Sequence, residues 1–92
     1  MDSSTEFRLR ADDVVWREVD GEIIVLEMQS GVYLNLNGSA KVLWAALNEP
    51  VSVERLVALL VDTFGISEQQ AGADSRAFLA DLSDRSLVEK IA

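Results

Sequence analysis

The residues able to do chemistry in this chain are almost all carboxylates. Asp12 and Asp13 are adjacent, and Glu68, Asp74, Asp81 and Asp84 recur along one later segment. Paired carboxylates can split their pKa values and serve as acid and base. They can also hold a hard divalent cation through oxygen alone. The groups that most reactions need beside them are absent, because the chain has no Cys and no His. That removes thiolate nucleophiles, imidazole bases, the Ser-His-Asp arrangement, disulfides and soft-metal centres. Gly21, Gly31, Gly38, Gly65 and Gly72 are scattered singly and form no phosphate-cradling loop. Charged helix faces are usually solvated surface, so these acids read first as solubilising charge. No catalytic residue, cofactor or metal is expected.

The charge balance excludes further classes. Eight Lys and Arg stand against sixteen Asp and Glu, a net charge of −8 over 92 residues. Nucleic-acid affinity comes largely from Lys and Arg on phosphate, and anionic membranes attract the same residues. The opening MDSSTEFRLR has no apolar signal-peptide core. No apolar stretch approaches the ~20 residues of a membrane span. A cytoplasmic, non-enzymatic domain is expected. One domain fits this length, and 49% apolar residues suffice for one small core.

The elements that would position a site follow from periodicity. Residues 1–12 read as a polar lead-in, and residues 13–92 as the domain. Val14 to Val19 is β-branched and aromatic, Asp20-Gly21 is a two-residue hairpin signal, and Glu22 to Met28 is a second strand. Gln29-Ser30-Gly31 turns the chain into a third strand, Val32 to Leu36. There Val32, Leu34 and Leu36 share one face, and Tyr33 and Asn35 the other. At Asn37-Gly38-Ser39 the period lengthens, with Asn37 or Ser39 as cap. Ala40, Leu43, Trp44 and Leu47 form one helical stripe, ended before Pro50. Ser52 caps a second helix with its stripe on Val53, Leu56, Val57, Leu60 and Phe64, closed at Gly65. Ser67 with Gln70 fits a capping box for a third helix, with Ala71, Phe78 and Leu82 on one face and Leu79 at its edge. Asp84-Arg85-Ser86 breaks it, and Leu87-Val88 returns to the core. The result is an α+β fold, βββααα. A three-stranded antiparallel meander is followed by three helices, the last two forming a helix-turn-helix, so that the whole is a winged helix. Trp16 and Trp44 read as core.

The third strand is the informative element. In a meander it lies at an edge, and VYLNLN carries no Pro, no Lys and no charge to guard it. Unless the protein's own helix or a second copy covers it, such an edge receives a partner strand by β-augmentation. Val32, Tyr33, Leu34, Asn35 and Leu36 then supply main-chain pairing and pockets. The opposite wall expected is the third helix at Asp74, Phe78 and Asp81, apolar with acidic margins, with Phe78 equally open to a place in the core by its position in the stripe. That wall suits a peptide with Lys or Arg near apolar anchors.

An ordered set of residues resembles the PqqD family, the small peptide-recognition domains of peptide natural-product biosynthesis. It runs through Asp20-Gly21-Glu22, Val25-Leu26, Gly31-Val32-Tyr33 and Leu36-Asn37. It continues through Ala40, Leu43-Trp44, Leu47, Ser52-Val53, Leu56 and Leu60, then Asp74, Phe78-Leu79, Leu82 and Leu87-Val88. The resemblance implies the winged helix-turn-helix and no enzymatic activity. It also implies binding of a precursor's leader peptide as a strand added to the third strand beside the third helix. Within the family, Gly31-Val32-Tyr33 and the stand-alone length look most like the recognition proteins of split lasso-peptide clusters. The partners implied are the precursor leader peptide, a transglutaminase-like cysteine leader peptidase and a macrolactam synthetase. One position departs: the family often has Gly before the closing Leu pair, and here Ser86 stands. The alternatives are a peptide chaperone of the same family for another modified peptide or a quinone cofactor, a winged-helix transcriptional regulator, and a small carboxylate enzyme. Residues 67–86 carry only Arg76 and Arg85 against Glu68, Asp74, Asp81 and Asp84, which speaks against DNA.

Overall fold

The structure, a computed structural model, describes residues 5–10, 12 and 14–91. The chain runs β1 (Glu6–Leu9), β2 (Val14–Val19), β3 (Glu22–Glu27), β4 (Tyr33–Leu36), α1 (Gly38–Ala46), β5 (Val51–Ser52), α2 (Val53–Phe64), α3 (Glu68–Asp84) and β6 (Val88–Ile91). The expected meander and three helices are present. The strands form two antiparallel sheets, ordered β5-β1-β6 and β2-β3-β4.

The second sheet corrects the reading of residues 1–12 as a lead-in. Within that stretch, Glu6–Leu9 is the central strand of the sheet, pairing Phe7 with Val51 on one side and with Lys90 on the other. Alternation places Phe7 and Leu9 in the core and Glu6 and Arg8 in water. Arg8 and Arg10 both reach Glu89, at 2.9 and 4.0 Å. Backbone bonds from Leu9 N–H to Leu47 and from Arg10 N–H to Leu87 tie the strand to both ends of the helical layer.

In the meander, Val19 pairs with Glu22, so Asp20-Gly21 is the whole turn. Both residues take positive φ, 53° and 81°, the conformation of a type I′ hairpin turn. At the next turn Gly31 N–H bonds Glu27 C=O while Glu27 N–H bonds Val32 C=O. Two residues thus oppose one, and Gly31 at φ 72° is the bulge residue. Val32 N–H turns to the Ser30 hydroxyl at 3.2 Å.

The helix ends follow local chemistry. Ser52 Oγ accepts from Arg55 N–H, and Ser67 Oγ from Gln70 N–H, each at 3.1 Å. Gly65 closes α2 in the left-handed region. Two expectations change. Asn37 stands at the cap of α1 but its side chain makes no capping bond. The box at Ser67 is half-formed, because the Gln70 side chain donates to Asp74 Oδ1 at 2.8 Å instead of reaching back.

The core gathers Ile23, Val25 and Leu36 from the meander, Phe7, Leu9 and Val88 from the small sheet, and Leu43, Trp44, Leu47, Leu56, Leu60, Leu79 and Leu82 from the helical layer. Trp16, half-buried, meets Trp44 edge to face at 6.1 Å, an arrangement that adds roughly 1 kcal/mol beyond burial. Two stripes shift. Phe64 is exposed, since the chain turns at Gly65 before its ring can reach the core. On α3 the buried line is Ala71, Ser75, Leu79 and Leu82, so Leu79 is inside and Phe78 lies on the flank, half-buried. Ser75 hid this line, being a polar residue on the inner face.

Candidate functional site

The ladder determines which backbone groups β4 offers. Strand β3 pairs with β2 through the residues facing one way and with β4 through those facing the other. The bond from Glu27 N–H to Val32 C=O sets the phase. Alternation then turns the N–H and C=O of Leu34 and Leu36 toward Val25 and Ile23. The N–H and C=O of Tyr33 and Asn35 point away from the sheet. Strand β4 pairs only with β3, so among the described residues this edge is unpaired.

Side chains sort the same way. Leu36 is buried and Leu34 half-buried on the inner face, next to Ile23, Val25 and Trp16. Val32 belongs to that face by alternation but is 45% exposed, because the bulge carries it to the rim. Tyr33 and Asn35 lie outside, with Tyr33 68% exposed. The register Val15–Leu26–Tyr33 makes an exposed apolar row across the outer face, ending at the open edge.

Helix α3 is anchored at its C-terminal end to the last residue of β3. Arg85 bonds Glu27 at 3.5 Å and Asp81 at 3.4 Å, and Glu27 is the residue opposite Val32. Along α3 the expected wall residues fall on the helix margin: Asp74 and Phe78 are half-buried and Asp81 is exposed. Asp74 is held by Gln70 and Asp81 by Arg85, so neither carboxylate is a bare charge. The eight residues expected from sequence therefore divide into the β4 set, which carries the unpaired edge, and the α3 set, whose helix is tied to the meander at Glu27. Sequence reading missed Arg85 and Glu27 as the link, for their pairing spans 58 positions.

Among the described residues no three carboxylates gather into a metal-binding group. Asp13 lies outside the described residues, and with it the Asp12-Asp13 pair. No described helix is long and apolar enough to cross a membrane.

The sequence profile described as "Coenzyme PQQ synthesis protein D (PqqD)" matches residues 22–88. The chain belongs to the PqqD family. The matched span begins at β3 and ends at β6, so it contains both β4 and α3. A search of curated protein sequences finds no match. Two solved structures resemble the fold closely. "TbiB1 in Complex with the TbiA(beta) Leader Peptide" superposes with a TM-score of 0.80 at 27% identity, covering 92% of this chain and 98% of that one. "Lasso peptide synthetase B1 complexed with the leader peptide" gives 0.79 at 23% identity, covering 90% and 96%. At 23% identity the second match bears on the fold alone.

In this PqqD-family chain Ser86, the residue before Leu87-Val88, takes a left-handed backbone at φ 59°. The exit from α3 is therefore made with the backbone that glycine favours, and Leu87 N–H closes it on Leu82 C=O at 2.8 Å. Leu87 and Val88 return to the core as expected.

Proposed function

We propose that this protein binds the leader segment of a ribosomally made precursor peptide by strand addition at β4, and that it does so without catalysis. The observation that carries the reading is the unpaired, uncharged β4 edge in a PqqD-family chain. Its likeness to TbiB1 in complex with a leader peptide supports it. An added strand gains main-chain bonds from Tyr33 and Asn35. Its alternate residues fall beside Val32, Leu34 and Leu36 on the inner face, toward the wall of Asp74, Phe78 and Asp81. The remaining residues extend the outer row of Val15, Leu26 and Tyr33. The pathway we propose is lasso-peptide biosynthesis in the cytoplasm. The loaded domain presents its peptide to a transglutaminase-like cysteine peptidase, with a macrolactam synthetase acting on the product.

Fluorescence anisotropy tests this directly. The labelled leader of the precursor encoded beside this protein is titrated, with a scrambled leader as control. Saturable binding of the true leader alone is the expected result. Equal binding of both, or none, overturns the reading.

A further inference from the structure

We infer that the β4 edge is self-complementary, so that two copies of the protein pair there and occlude the strand that would take a peptide. The pairing stands on edge geometry, and its meaning as a brake on leader capture rests on the function proposed above.

The outward N–H and C=O groups of β4 belong to Tyr33 and Asn35. Turned by a two-fold axis beside Leu34, the strand meets its own copy antiparallel. Tyr33 then faces Asn35 of the second copy, and Asn35 faces Tyr33. In that register every outward donor meets an acceptor, the condition for a hydrogen-bonded antiparallel pair. Leu34 of each copy lies across the axis from the other on the inner face. An isologous contact of this kind closes at two copies.

The electrostatics select this edge over the others. Two molecules of charge −8 repel wherever charged surfaces meet. Residues 28–40 contain no charged residue, the longest such run in the chain, and β4 lies at its centre. Strand β2 instead carries Arg17 and Glu18, and β6 carries Glu89 and Lys90. Exposed Met28, Val32 and Tyr33 add apolar surface at the same edge. A strand of four residues buries far less than the roughly 1,200 Å² of a stable interface. The pair is therefore weak and transient, which leaves the edge accessible to a competing strand.

Sedimentation velocity tests the inference on the intact chain, between about 10 μM and about 1 mM, a range suited to weak association. The expected result is a weight-average mass rising toward twice the monomer value, more steeply at high salt as repulsion is screened. Asn35→Pro, which removes an outward donor, should hold the mass at the monomer value. Amide hydrogen exchange of wild type gives a reading that needs no variant: protection at Tyr33 and Asn35 should rise with protein concentration while that at Leu34 and Leu36 stays constant. A monomer throughout the range overturns the inference, as does concentration-independent exchange at Tyr33 and Asn35. Leader anisotropy at micromolar protein is read separately, so loss of leader binding with self-pairing intact refutes the functional reading and leaves this one standing.

Discussion

The two sheets of this molecule are each three strands wide and end differently. In the β5-β1-β6 sheet the outer strands are a two-residue strand and one whose Glu89 is held by Arg8 and Arg10. Short length and charge both blunt an edge against further pairing. In the meander, β2 is guarded by Arg17 and by Glu18, which pairs with Lys41 on α1. Strand β4 carries no charge and is twice the length of β5. Three of four outer strands carry such a device, and β4 does not. The small sheet completes the core, whereas the meander completes the core on one face and leaves a strand's worth of hydrogen bonding open.

The sharpest way to break this contrast is to damage the sheet whose work is structural. Phe7→Ala should destabilise the fold by about 3–5 kcal/mol, as for other buried aromatic truncations. A lowered urea midpoint with an unchanged slope would report it. If Phe7→Ala leaves stability within about 0.5 kcal/mol, a range typical of surface changes, β1 is not part of the core.

Proline distinguishes the two faces of β4 itself. Leu34→Pro removes a donor aimed at Val25 and should cost about 3 kcal/mol or more of stability. Asn35→Pro removes a donor aimed at solvent, so it should cost under about 1 kcal/mol while abolishing saturable leader binding. Urea denaturation and anisotropy on the same pair of variants check both halves.

A smaller effect tests the wall. Phe78→Ala should weaken the leader by about 1–3 kcal/mol, the range of an apolar anchor, with a smaller loss of stability than Leu79→Ala. Equal stability losses at both positions would return Phe78 to the core. Smallest is Ser86→Gly, which relieves a left-handed backbone and should raise stability by about 1 kcal/mol without touching peptide affinity.

How much of this was legible follows from distance along the chain. The Asp20-Gly21 turn, the caps at Ser52 and Ser67 and the left-handed Gly65 rest on neighbours within a few residues, and all stand in the structure. The third strand's place at an edge followed from meander order. Strands β1, β5 and β6 were not legible, for they have four, two and four residues and pair with partners far away in sequence. The alternation Glu6, Phe7, Arg8, Leu9 was present, yet four residues between polar neighbours carry little periodic signal. The face of α3 was misjudged because Ser75 occupies a buried position that hydrophobic counting assigns to solvent. Within the candidate site, the strand and edge position of Tyr33 to Leu36 were readable. The Arg85–Glu27 link was not, because nothing local announces an ion pair across 58 positions.

The pairing of β1 with β6 also makes one sheet the costliest closure of the chain. Arg8 and Glu89 stand 81 positions apart, so this sheet closes across most of the described chain. The meander and the helices close through local contacts, which form early, while contacts of high sequence separation bear a larger loop-closure cost. Wherever that closure is open, Phe7 and Leu9 lose their β6 partners and β1 becomes a second strand edge besides β4.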